Sequence, residues 1–122
     1  MAGRFTFPRS RRLSGRLAFS RVFEGRVRAS RGPLTVYAAA NGLSHARLGL
    51  SVSRRVGTAV VRNRIKRLLR EAYRLSQSEI PPGADYVVVV RPHKPLDLTA
   101  YQSMVVELTK KLADRLQKGE AS

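Results

Sequence analysis

The chain has 122 residues, with 24 Lys and Arg against eight Asp and Glu, a net charge of +16, and no cysteine. That length suits one domain with a modest core, and the missing thiols exclude a disulfide framework and a thiolate metal site. No apolar run approaches the ~18 residues needed to cross a bilayer, so no membrane segment is expected.

The charge is lopsided. Residues 1–74 carry 18 of the basic residues and only two acids, Glu24 and Glu71, whereas residues 75–122 carry six of each sign. Such an excess raises self-repulsion in the folded chain, and a polyanion that sheds counterions on binding relieves it. Charge alone favours nucleic acid as the partner.

Residues 1–12 mix Arg, Pro and Ser with Phe5 and Phe7 and keep no period, so they read as a basic N-terminal arm. The same Arg- and Ser-rich, acid-poor composition is that of transit peptides. A short helix is expected from Leu13 to Val27, with Ser14 as its cap and Leu17, Phe19, Val22 and Phe23 on one face. "GPLTVYAAA", Gly32–Ala40, reads as a strand that stops at the turn signal Asn41-Gly42. "RLGLSVSRR" then alternates, with Leu48, Leu50 and Val52 pointing one way and Gly49, Ser51 and Ser53 the other. The two segments together predict an antiparallel hairpin.

Thr58 is placed to cap a helix whose stripe is Val61, Ile65, Leu68, Leu69 and Ala72. Pro81-Pro82-Gly83 breaks the chain. The four-valine run in "ADYVVVVRP" predicts a strand covered on both faces. A second long helix follows, opened by Asp97 or Thr99, with a seam of Leu98, Tyr101, Val105, Leu108, Leu112 and Leu116. This order predicts an α+β sandwich in one domain over 13–118, with residues 119–122 as a tail.

The segment "GTAVVRNRIKRLLREAYR", Gly57–Arg74, holds six basic residues and one carboxylate. Arg62, Lys66, Arg70 and Arg74 form one row at four-residue spacing, and Asn63, Arg67 and again Arg70 or Arg74 an adjoining one. Like charges at that spacing cost a few tenths of a kcal/mol each, and only Glu71, four residues after Arg67, offers relief. A merely solvated face would interleave signs, so phosphate binding is the better reading. The helix N-terminus favours anions as well. Upstream, aromatics interleave with cations: Phe5, Phe7, Arg9, Arg11, Arg12, Phe19, Arg21 and Phe23. Stacking platforms beside cations suit single-stranded nucleic acid, although Phe19 and Phe23 at i,i+4 fit a core equally well. Tyr37 shares a strand face with the small residues Thr35 and Ala39, which would leave its ring accessible.

Nothing resembles a catalytic set. His45 and His93 are far apart in sequence and read as loop residues, and neither has a second ligand at metal spacing. Ser51 and Ser53 have no neighbouring base, and the acids are scattered rather than paired for two-metal chemistry.

The stretch "RLGLSVSRRVGTAVVRNRIKRLLREAYR", Arg47–Arg74, resembles the signature of the protein subunit of bacterial ribonuclease P. "RLSGRLAFSRVFEGR", "LTVYAAA" and "GADYVVVVRP" resemble the family's first helix, next strand and last strand, so residues 13–27 fall within the domain. The resemblance implies a two-layer α/β sandwich of ribosomal-protein type with a left-handed βαβ crossover. Its mixed sheet would have about four strands, with three helices. It also implies that a large RNA is the catalyst, with Mg²⁺ held mainly by that RNA, and that precursor tRNA is the substrate. Expected surroundings are the cytoplasm, with no stable protein partner. Carried over by position, Arg62, Asn63, Arg64, Lys66, Arg67 and Arg70 would face the catalytic RNA. Phe19, Phe23 and Tyr37 would hold the single-stranded 5′ leader, bordered by Ser51, Ser53, Arg54 and Arg55. Thr58 stands where many members have Asn, and Thr can cap a helix too. The rival reading is a structural RNA-binding protein of ribosomal type, which has no need of a leader cleft.

Overall fold

The computed structural model describes residues 9–119; most of the expected arm, with Phe5 and Phe7, and the last three residues of the tail lie outside the described residues. In chain order the elements are α1 (Arg16–Glu24), β1 (Val27–Arg31), β2 (Leu34–Ala40), β3 (Arg47–Val52), α2 (Ala59–Leu75), β4 (Ala84–Val90) and α3 (Leu98–Gln117). Short 3-10 turns occupy Arg9–Arg11, Arg54–Val56 and Gln77–Glu79. The sheet runs β1-β2-β4-β3, antiparallel except for the parallel pair β3 and β4, which α2 connects.

The strand order corrects the predicted hairpin. β2 and β3 do not pair; β4 enters between them, antiparallel to the first and parallel to the second. Composition explains why. Every β4 residue except the half-buried Val89 is buried, and so apolar a strand would be an aggregation-prone edge. The connection from Asn41 to Ala46 is also too long to impose a tight turn.

The first helix is shorter than predicted and is followed by β1. That strand is hard to recognise because only Val27 and Ala29 alternate inward among Arg and Ser. Gly32, at φ +57°, begins the two-residue turn into β2, a backbone region open to glycine. Ser14 does not cap α1. Gly15 takes the N-cap position without a side-chain bond, and Leu17 turns outward, 87 % exposed.

α2 forms as predicted, with the Thr58 hydroxyl accepting from the Val61 amide at 3.3 Å. Asp97 caps α3 through the Ala100 amide at 2.9 Å. Both helices cover one sheet face, burying Ile65, Leu69, Ala72, Tyr101, Val105, Leu108 and Leu112 against Leu34, Val36, Tyr86 and Val88. Each fully buried aliphatic side chain contributes roughly 1.5–3 kcal/mol. Among the described residues the opposite face carries one helix, the nine-residue α1, too short to persist alone, held by Val22 in a smaller cluster with Leu13 and Val87. Among the described residues no other helix covers that face.

Candidate nucleic-acid interface

The open face is organised in transverse rows set by strand register. Arg28 lies opposite Tyr37, Tyr37 opposite Val87, and Val87 opposite Gly49. The next row is Ser30, Thr35, Val89 and Ser51. Over the first row α1 lays Phe19 and Phe23, both half-buried, with ring centroids 6.3 Å apart at 82°. Phe23 meets Tyr37 edge-to-face at 4.8 Å. The rings pack against the Leu13, Val22 and Val87 cluster, as a core reading expects, and keep part of their surface in water.

Gly49 is the residue that makes this possible. A Cβ there would stand 2.6 Å from the Phe19 ring and 3.1 Å from the Leu13 carbonyl. Glycine inside a strand marks such a close approach. Gly49→Ala is expected to displace Phe19 and loosen the seating of α1 by about 1–3 kcal/mol, as overpacking does, while α2 and α3 stay packed. Urea unfolding followed by near-ultraviolet circular dichroism of the rings checks it.

At the β3 edge a recess of about 260 Å³ joins Phe19 to Arg12, Gly15, Gly49, Lys66 and Arg70. Ordered arm residues help to form it, since Arg12 bridges to Leu48 and the Leu13 amide donates to the Leu48 carbonyl at 2.8 Å. The arm also reaches Tyr73, whose hydroxyl burial pushes up to about 12 against the opposing charge of Arg11. A second concavity along α2 is lined by Arg12, Asn63, Arg67, Arg70, Glu71 and Arg74.

The cations of α2 are not equivalent. Arg62 folds back to donate to the Gly57 carbonyl at 2.8 Å. Arg74 grips Glu71 with two hydrogen bonds, and that contact holds the Glu71 carboxyl below its ordinary range. The relief expected for Arg67 thus goes to Arg74, two turns onward. Lys66 and Arg70 face the aromatic recess, Asn63 and Arg67 the second concavity. Arg64 lies toward α3: its charge opposes the burial that raises the Tyr101 hydroxyl. Ser51 sits on the open face, and Ser53, Arg54 and Arg55 are exposed where β3 ends.

Both histidines serve local structure. The His45 ring bonds the Ser10 carbonyl at 3.0 Å, and His93 bridges the Arg91 carbonyl and the Tyr101 hydroxyl, each at 2.7 Å.

Asp85 is the functional support that sequence reasoning missed. It is 0 % exposed, between Arg47 at 2.7 Å in two bonds, Arg21 at 2.6 Å and Asn41 at 2.9 Å. Arg21 belongs to α1, so this carboxylate ties the aromatic helix to the sheet. Burial works to raise its pKa, but the bonds from Arg47 and Asn41 and the charges of Arg47 and Arg21 prevail and hold it low. A charged residue inside a valine strand was the available signal, because a buried charge demands partners. A depressed carboxyl contributes stability above its unfolded pKa, near about 3.9, and loses it as pH falls through the lower folded value. Asp85→Asn should cost about 3 kcal/mol at neutral pH, the low end for breaking a buried pair because Arg21 and Arg47 reach water. Urea unfolding across that acid range should show a flatter pH dependence in the variant.

Comparison with known proteins decides the family. The ribonuclease P family model matches residues 7–113. This chain belongs to the ribonuclease P protein family. The ribonuclease P protein component of Methylococcus capsulatus is 50 % identical over 88 residues, 71 % of this chain and 68 % of that one. That of Desulfovibrio desulfuricans is 42 % identical over 108 residues, 86 % and 82 % respectively. Among solved structures, the ribonuclease P protein of Staphylococcus aureus superposes with a TM-score of 0.71 at 32 % identity, covering 84 % of this chain and 94 % of that one. The Thermotoga maritima protein gives 0.73 at 31 %, covering 82 % and 96 %. The chain is a protein subunit of ribonuclease P, a tRNA 5′-processing enzyme, and its family partner is ribonuclease P RNA.

Proposed function

We propose that this ribonuclease P protein grips the single-stranded 5′ leader of precursor tRNA on its open sheet face while α2 lies against the catalytic RNA. The observation that carries the reading is the recess in which Phe19 shares a wall with Arg12, Lys66 and Arg70. Aromatic faces beside cations accept stacked bases and their phosphates without demanding a sequence. Phe19, Phe23 and Tyr37 stack leader bases; Ser51, Ser53, Arg54 and Arg55 border their path. Arg62, Asn63, Arg64, Lys66, Arg67 and Arg70 contact the catalytic RNA, where a backbone-reading surface supplies affinity and register. The repulsion along α2 is then relieved in the complex.

The protein acts by positioning. It raises affinity for precursor over product and lowers the demand for Mg²⁺ by adding positive charge. Mg²⁺ held by the RNA supplies the hydrolytic chemistry in this reading. Among the described residues no three His, Asp or Glu side chains come together. The reading places the particle in the cytoplasm. Among the described residues no helix is long and apolar enough to cross a membrane.

The test compares ribonuclease P RNA with and without this protein for binding to precursor and to mature tRNA. The protein should tighten the first and leave the second nearly unchanged. Equal tightening of both would contradict the leader role.

A further inference from the structure

The aromatic row does not end at Tyr37. On the edge strand β1, the Arg28 guanidinium lies 5.9 Å from the Tyr37 ring centroid, and its Nη1 donates to the Tyr37 hydroxyl at 3.2 Å. Beside it on the same face, Ser30 and Thr35 share a hydroxyl hydrogen bond at 2.8 Å. The strand is anchored from behind, where Arg115 of α3 donates to the Arg28 carbonyl at 2.6 Å. A cation, a ring and two exposed hydroxyls are thus fixed on the open face before any ligand arrives, which lowers the ordering cost of binding. Three strand spacings, about 14 Å, separate this group from the β3 edge. The recess that joins Phe19 to α2 lies at that opposite edge.

We infer that Arg28, with Ser30 and Thr35, forms a distal leader subsite at the β1 edge, reached by nucleotides farther from the cleavage point than those at Phe19. The inference rests on the leader reading above. Its direction follows from placement: the basic helix marks the side of the catalytic RNA, so the leader enters beside Phe19 and leaves across Tyr37 toward Arg28. The occupant is single-stranded RNA, because a guanidinium takes a phosphate while Tyr37 offers a ring to a base and the hydroxyls accept or donate to either. The subsite makes affinity depend on leader length.

The experiment uses the assembled enzyme and precursor tRNAs whose leaders shorten one nucleotide at a time. Wild-type affinity should rise in two stages as the leader grows. Arg28→Ala should remove the second stage, a loss of roughly tenfold on long leaders, and leave the shortest leaders unaffected. Phe19→Ala should weaken every leader that reaches the first stage. Equal loss at all lengths in Arg28→Ala would overturn the subsite, since the residue would then act by holding Tyr37. Normal binding by Arg28→Ala with impaired Phe19→Ala would overturn the subsite alone. Normal binding by Phe19→Ala would overturn the leader reading itself.

Discussion

Phe19→Ala is expected to weaken binding of precursor tRNA by roughly tenfold to a hundredfold, the loss of one base stacked on an aromatic face. Mature tRNA, which has no leader, should bind as before. The variant removes a half-buried ring that sits on Gly49 and touches Phe23, so some stability goes with it. The contrast between the two ligands separates these effects, because a merely loosened α1 would not distinguish them. Tyr37→Ala, at the other end of the aromatic row, should show the same asymmetry. Equal loss for precursor and mature tRNA in both variants would remove the cleft assignment.

Charge reversal on α2 should act on a different equilibrium. Arg64→Glu with Arg67→Glu is expected to reduce affinity for ribonuclease P RNA by at least about a hundredfold, two charge-assisted contacts being lost. The slope of log affinity against log salt should shrink by about one for each phosphate no longer neutralised. Both side chains are exposed, and helix surface pairs are worth only a few tenths of a kcal/mol, so the fold should survive. Filter binding across a salt series, paired with a melt, reads both quantities. Unchanged assembly would refute the role given to this face.

The two long helices were the most legible part of the chain because local chemistry decides them. Thr58 and Asp97 announce their caps, and the stripes of α2 and α3 point to the buried residues directly. Strand order was less legible. The hairpin reading used adjacency in sequence, whereas the position of β4 follows from the need to cover its valines on both faces. β1 was invisible to pattern reasoning, since two inward residues among five cannot establish a period. Charge pairings do not follow from spacing alone: Glu71, at i,i+4 from Arg67, pairs with Arg74 at i,i+3 in the same helix, and Asp85 gathers partners from three separate segments. Sequence pattern singled out Phe19, Phe23 and Tyr37, and family resemblance assigned them to one cleft. What that resemblance did not supply is the support beneath it, Gly49 under Phe19 and Asp85 holding Arg21, which exists only once the strands are in register.

The central claim is that this chain lends affinity and charge to an RNA catalyst. The most direct measurement is cleavage of a 5′-extended precursor tRNA at low Mg²⁺ by a bacterial ribonuclease P RNA alone, by the protein alone and by the two together. Cleavage at the mature 5′ end only in the mixture is the predicted result. Cleavage by the protein alone, or no gain in the mixture, would contradict it.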